Sequence, residues 1–140
     1  RNEVNLTIPK YLFMKKVILD TNFLLLPIEF NLDIFEAIPE VLEDKVEFFV
    51  VDKSLNELTN LAKGRGKAGM AARVAMSLLQ KKDVKVVKTK DDESCDDAIV
   101  RVAVTLDAIV ATNDKNLRKK LKDFNVKTIY LRSKKHLELG

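Results

Sequence analysis

The stretch Val17-Ile18-Leu19-Asp20-Thr21-Asn22 decides how the rest of the chain folds. Three consecutive apolar residues predict a strand buried on both faces, as in a parallel sheet, because a half-exposed strand would alternate apolar and polar side chains. A carboxylate, Asp20, follows this run directly. We therefore expect a central strand that places Asp20 at the edge of a buried sheet.

Further apolar runs of strand length lie on the C-terminal side of this stretch, and segments with helical spacing separate them. The predicted strands are 46–51, 84–87, 108–111 and 127–131, and helices are predicted to begin near Asp33, Asp52, Ala68, Ser94 and Asn116. Asp33, Asp52 and Ser94 are expected to cap their helices. Pro39 predicts a kink or an early end in the first helix. The alternation predicts an α/β fold, a central parallel sheet of about five strands with helices on both faces.

Size and composition are those of one globular domain. The chain has 140 residues, of which 46% are hydrophobic and 33% charged. No apolar run approaches the roughly 18 to 20 residues that span a membrane. Cys95 is the single cysteine, which excludes an internal disulfide framework and favours a reducing, cytoplasmic location. Residues 1–13 precede Met14 and are interpreted as an N-terminal appendage, so the domain is expected to cover residues 14–140.

Four carboxylates fall near the carboxyl ends of predicted strands. Asp20 closes the first strand, Asp114 follows the fourth, and Glu57 and Asp97 lie in the helices after the second and third. Parallel strands would bring all four to one edge of the sheet, where α/β proteins bind ligands. Singly, three of them are explained equally well as helix-start or solvated acids. Together they would repel one another, and a divalent cation bound by oxygen ligands, Mg²⁺ or Mn²⁺, is the natural counter-charge.

The same residues form four short motifs that resemble those of PIN (PilT N-terminus) domain nucleases over roughly residues 14 to 132. The motifs are Val17-Ile18-Leu19-Asp20-Thr21-Asn22, Ser54-Leu55-Asn56-Glu57-Leu58, Asp96-Asp97-Ala98-Ile99 with Ala103, and Ala111-Thr112-Asn113-Asp114 with Leu117. The resemblance implies a Rossmann-like fold and a Mg²⁺- or Mn²⁺-dependent endoribonuclease.

The resemblance also implies roles for individual residues. Asp20, Glu57, Asp97 and Asp114 would be the catalytic acids, with Asp20, Asp97 and Asp114 as metal ligands. Asn22 and Thr112 would support them. Many members of the family carry another acid where this chain has Asn116, and Asp96 is the candidate substitute.

The net charge is +4, and the basic residues are clustered. Each cluster is interpreted either as a solvated face or as a surface that contacts RNA phosphates. The candidate RNA-binding residues are Arg65, Lys67, Arg73, Lys119, Lys120 and Lys122.

The biological role is left between two branches of the family. The Asp96-Asp97 doublet, the segment 64–67 and the ending 129–132 resemble the PIN nucleases of ribosomal small-subunit processing and their archaeal relatives. That branch implies rRNA or other RNA processing, with a processing-complex protein as partner. The alternatives are a toxin paired with an antitoxin, and a non-catalytic module that binds RNA or protein. A homodimer is compatible with each.

Overall fold

A computed structural model of the chain describes residues 14 to 140. Its strands form one sheet in the order β3-β2-β1-β4-β5-β6. Their bounds are β1 Lys15–Leu19, β2 Val46–Val51, β3 Lys85–Val87, β4 Ile109–Ala111, β5 Thr128–Ser133 and β6 His136–Leu139. Strands β1 to β5 pair in parallel, which confirms the predicted α/β sheet. The sixth strand pairs with β5 in the antiparallel direction and was not predicted, because its short segment carries only two apolar residues.

The helices lie where the spacing placed them, with one correction in capping. A 3-10 turn at Phe23–Leu25 leads into α1 Leu26–Glu29, followed by α2 Ile34–Leu42, α3 Asp52–Ala62, α4 Gly66–Lys81, α5 Cys95–Leu106 and α6 Lys115–Asp123. Asp33 and Ser94 cap α2 and α5 through their side chains, as predicted. The prediction that Asp52 caps α3 is wrong, since Asp52 is the first helical residue and its carboxylate accepts hydrogen bonds from Thr89 instead. Helix α2 continues past Pro39 to Leu42.

Both faces of the sheet are covered by helices, as predicted. In β1, Val17 and Leu19 belong to the apolar cluster formed with α1, α2, α3 and α4, whereas Ile18 belongs to the cluster formed with α5 and α6. All three side chains are fully buried, and burial of each contributes about 1.5–3 kcal/mol relative to exposure. None of the helices within residues 14–140 has the length and apolar character required to cross a membrane.

The strand order fixes where a ligand can bind. The chain moves outward from β1 to β2 and β3 on one side, and from β4 to β5 on the other. The crossover between these halves lies between β1 and β4, and α/β proteins bind ligands at such a switch point, outside the carboxyl ends of the strands. Backbone pairing continues just past the end of β1, with the Asp20 N–H donating to the carbonyl of Ala111, the last residue of β4, at 2.9 Å. The segments after β1 and β4 therefore lie side by side.

Candidate active site

Asp20 is held at the switch point by hydrogen bonds to both of its carboxylate oxygens. The hydroxyl of Thr112, which follows β4, donates to Oδ2 at 2.7 Å, and the backbone N–H of Thr21 donates to Oδ1 at 2.8 Å. Asp20 is only 6% exposed and Thr112 is fully buried. The contact from Thr112 joins residues 92 positions apart, whereas Thr21 is the residue next to Asp20. The carboxylate is therefore fixed in orientation by groups from two neighbouring strands.

The pKa of Asp20 is raised above its ordinary value. Burial is the main cause, and the charges of Asp96 and Glu57 act in the same direction. The hydrogen bonds from Thr112 and Thr21 oppose this effect and favour the charged form. The pKa of Asp20 is raised because its carboxylate is buried near other negative groups. A cation bound there would lower that pKa.

Asp114 both caps a helix and lines the site. Its Oδ1 accepts from the backbone N–H groups of Asn116 and Leu117 at 2.9 and 3.2 Å, so it is the N-cap of α6. Its own N–H donates to the hydroxyl of Thr112 at 3.1 Å. The hydroxyl of Thr112 thus connects Asp20, which follows β1, with Asp114, which follows β4.

Glu57 approaches from α3 and is held by two donors. The hydroxyl of Thr21 donates to its Oε1, and the thiol of Cys95 lies 3.8 Å from the same oxygen. The Oγ of Ser54, which is fully buried, lies 3.6 Å from Cys95 Sγ. Burial and the nearby carboxylates Glu57, Asp20 and Asp96 raise the pKa of Cys95 to about 11, so its thiol remains protonated and able to donate.

The sequence analysis did not assign roles to Thr21 and Cys95. Thr21 directly follows Asp20, and Cys95 directly precedes the Asp96-Asp97 doublet. Their positions next to the predicted acids could have indicated that they belong to the site.

The structure places Asp96 in the site and Asp97 outside it, which corrects the expected placement. Asp96 lines the cleft with Asp20, Glu57 and Asp114, and burial together with the charge of Asp114 raises its pKa. Asp97 is exposed, and its Oδ1 lies 2.7 Å from Nζ of Lys120. This ion pair lowers the pKa of Asp97.

Helical spacing along α5 explains why Asp96 lines the cleft and Asp97 does not. Asp96 shares its face with Ile99, Val100 and Ala103, which are buried, whereas the face of Asp97 includes the exposed Val104.

Asn22 joins the loops on the two sides of the switch point. Its Oδ1 accepts from the backbone N–H of Asn113 at 3.4 Å, and Asn113 Oδ1 accepts from the N–H of Leu131 at 2.8 Å. Asn22 also lines the cleft. Asn22 therefore lies at the candidate site, and the supporting role that the family resemblance implies for it stays a prediction.

The cleft formed by these groups has a volume of about 490 Å³. Its lining residues are Asp20, Thr21, Asn22, Leu25, Glu57, Asn60, Leu61, Cys95, Asp96 and Asp114, without a lysine or arginine from the described residues. In the described part of the chain, no three Asp, Glu, His or Cys side chains form an assembled metal-binding cluster, so the acids share the cleft without meeting at one point. The donors are carboxylate and amide oxygens, which fit a hard divalent cation such as Mg²⁺ or Mn²⁺.

The predicted RNA-binding residues lie at different places. Arg65 and Lys67 are exposed at the start of α4. Arg73 donates from one guanidinium nitrogen to the carbonyls of Ala62 and Gly64, at 2.9 and 3.1 Å, and so binds the end of α3. Lys120 pairs with Asp97, as described above. Only Lys119 and Lys122 share one groove, on the outer side of α6.

Comparison with known proteins places this chain in a family. Residues 17–134 match the sequence profile of the PIN like domain. The chain is 32% identical over 130 residues to Ribonuclease VapC4 of Methanocaldococcus jannaschii, covering 90% of this chain and 97% of the relative.

Two solved structures share the fold. The PIN domain endonuclease Utp24 superposes with a TM-score of 0.74 at 25% identity, over 89% of this chain and 90% of that one. A domain of a functionally unknown protein from M. jannaschii superposes with a TM-score of 0.59 at 19% identity, over 85% and 92% of the two chains, and shows the fold alone.

Proposed function

The chain belongs to the PIN-like domain family, and from this premise we propose that it is a divalent-metal-dependent endoribonuclease whose active site is the acidic cleft at the switch point. One observation carries the proposal: Asp20, Glu57, Asp96 and Asp114 line one cleft to which the described residues contribute no lysine or arginine. Carboxylates are not gathered in this way for stability, because their repulsion and desolvation raise the pKa of Asp20 and Asp96. The ribonuclease relative supports RNA as the substrate.

Asp20, Asp96 and Asp114 are the proposed metal ligands. Asp96 takes the place that the family resemblance gave to Asp97, because Asp97 lies outside the cleft. When bound, Mg²⁺ or Mn²⁺ would lower the pKa of a water molecule and stabilise the charge that develops on the phosphate.

The protein's own part is positioning. Thr112 and Thr21 hold the Asp20 carboxylate in one orientation, and Thr21 and Cys95 hold Oε1 of Glu57. This leaves Glu57 at the rim of the cleft to orient the attacking water. No histidine lines the cleft within the described residues, and His136 lies in β6 at the sheet edge, so a carboxylate rather than an imidazole is the proposed proton acceptor.

For the biological role we propose processing of rRNA or another cellular RNA, in company with a processing-complex protein. The sequence features that support it are the Asp96-Asp97 doublet, the basic segment 64–67 and the ending 129–132. A toxin paired with an antitoxin is the second candidate, and the ribonuclease relative is compatible with either. An antitoxin gene next to this one, whose product binds the protein and stops cleavage, would decide for the toxin.

The test of the proposed activity is Asp20→Asn compared with Asp97→Asn. Both changes remove one negative charge, but only the first lies in the cleft. We expect Asp20→Asn to fold, to lose Mn²⁺ binding in a calorimetric titration and to stop cleaving single-stranded RNA. Asp97→Asn is expected to keep both properties. Undiminished Mn²⁺ affinity in Asp20→Asn would refute the assignment of the metal site, and metal binding without RNA cleavage in the unmodified protein would favour a non-catalytic module.

A further inference from the structure

The outer side of α6 carries a basic groove that the proposed chemistry does not use. Lys115, Arg118, Lys119 and Lys122 line it together with Val126, Thr128 and Gly140, and its volume is about 500 Å³. No acidic side chain of the described residues is among its lining. The four basic residues, here called the α6 track, recur at intervals of three and four positions and so share one face of the helix.

The track begins at the acidic cleft. Helix α6 starts immediately after its N-cap, Asp114, and Asp114 lines the cleft. From Lys115 to Lys122 the helix rises on the order of 10 Å. The α6 track therefore forms a row of positive charge that leads away from the proposed catalytic acids towards the opposite end of the helix.

Arg118 is fixed in place within this row. Its guanidinium carbon lies 3.5 Å from the centroid of the Tyr130 ring, a close cation–π contact. The Nε of Arg118 is buried and has no hydrogen-bond partner within the described residues. Glu138, an acid on which the charge of Arg118 acts, is engaged by the hydroxyl of Tyr130 and by Arg132. The stacked geometry orders the guanidinium before any ligand arrives, which lowers the entropy lost on binding.

Two of the other basic candidates, Lys120 and Arg73, differ from the track in having partners within the described residues. Lys120, on the other side of α6, pairs with Asp97, and Arg73 binds the carbonyls at the end of α3. Among the described residues, Lys115, Lys119 and Lys122 have no ion pair with an acidic side chain. Positive charge without an internal partner is the kind that displaces counterions from a polyanion.

We propose that single-stranded RNA held in the acidic cleft continues along the α6 track, which binds its phosphates. The inference rests on the proposed nuclease function and adds the path of the substrate to it. It assigns the contact to Lys115, Arg118, Lys119 and Lys122. It removes Lys120 and Arg73 from the candidate RNA-binding residues.

The test compares two triple variants with the same change in charge. Lys115→Gln, Lys119→Gln and Lys122→Gln together remove three of the four positive charges of the track and leave Arg118 in place. Lys45→Gln, Lys81→Gln and Lys82→Gln together neutralise three exposed lysines that lie just before β2 and β3, at the end of the sheet away from the cleft. Binding of a labelled single-stranded RNA is measured by fluorescence anisotropy across a salt series, with chelator present to prevent cleavage.

We expect the track variant to bind more weakly and to lose about 2 from the log–log salt slope, at roughly 0.7 for each phosphate contact removed. The control variant should keep the slope of the unmodified protein. Equal slopes in the two variants would overturn the proposed path, whether both fall or neither does.

Cleavage separates this inference from the proposed function. The track variant should need more RNA than the unmodified protein to reach half of its maximal cleavage rate, because uniform binding energy affects KM, whereas the control variant should keep the unmodified KM and kcat. If the unmodified protein does not cleave RNA but the slopes differ as expected, the nuclease proposal fails and the path stands. A track variant that binds RNA normally yet has lost cleavage would overturn the path, since these side chains would then act on the reaction.

Discussion

Replacing Thr112 by valine tests whether its hydroxyl organises the candidate site. Thr112 is fully buried, donates to Oδ2 of Asp20 at 2.7 Å and accepts from the backbone N–H of Asp114 at 3.1 Å. Valine has nearly the same shape but lacks the hydroxyl, so the change removes two hydrogen bonds without opening a cavity. Thr112→Ser is the matched control, because it retains the hydroxyl and loses only a methyl group.

The magnitude follows from these two bonds. A hydrogen bond to a charged group contributes about 1.5–3 kcal/mol, and a buried N–H left without its acceptor costs about 1–3 kcal/mol. Such terms are not fully additive, and we expect Thr112→Val to lower the free energy of unfolding by about 2–4 kcal/mol. For a chain of this length that is a fall in Tm on the order of 10 °C. Thr112→Ser should lose only about 1 kcal/mol.

The effect should depend on pH in a definite direction. The hydrogen bond from Thr112 lowers the pKa of Asp20, which burial has raised, so removing it raises that pKa further. The bond is strongest when the carboxylate is charged. The deficit of Thr112→Val should therefore be largest at neutral pH and should shrink as the pH falls through the pKa of Asp20, where both proteins hold a neutral carboxyl.

Chemical denaturation at several pH values and single-turnover cleavage of RNA measure the two consequences. Thr112→Val is expected to lose about 10–100-fold in cleavage rate or metal affinity, the usual cost of removing a group that orients a metal ligand. Thr112→Ser should remain within a few-fold of the unmodified protein. Equal stability and equal cleavage in the valine and serine variants would refute the reasoning, because the hydroxyl would then contribute nothing.

Three further predictions concern other parts of the chain. Asp96→Asn should reduce the single-turnover cleavage rate by about 10–100-fold, whereas Asp97→Asn should change it little. A larger loss in Asp97→Asn than in Asp96→Asn would show that Asp97 is the catalytic acid. Arg73→Gln should lower the free energy of unfolding by about 1 kcal/mol through loss of its bonds to the α3 carbonyls, with an unchanged salt slope for RNA binding. Deleting residues 1–13, which lie outside the described residues, should change the unfolding free energy by less than about 0.5 kcal/mol, and a larger fall in a melting experiment would contradict their interpretation as an appendage.

The sequence by itself determined most elements of the fold, with strand β6 as the exception. The run Val17-Ile18-Leu19 is apolar at every position because helices cover both faces of the sheet, and the clusters on the two faces confirm this. Asp33 and Ser94 marked helix starts because a side-chain cap is a local interaction that its own segment decides. The positions of Asp20 and Asp114 could likewise be predicted, because the local sequence determines where a strand ends. Parallel pairing then brings the two strand ends to one edge of the sheet.

Contacts between distant segments were decided only by the tertiary structure. Asp96 and Asp97 are adjacent in sequence, and the rotation of α5 on the sheet determines which one meets the cleft. In the sequence, Lys120 cannot be distinguished from its basic neighbours, and its pairing with Asp97 depends on the packing of α6 beside α5. Likewise, the contact of Arg73 with the end of α3 depends on the packing of α4 against α3. Sequence patterns report the face and period of one element, whereas these partners depend on the angle and distance between two elements, which the packing of the whole core sets.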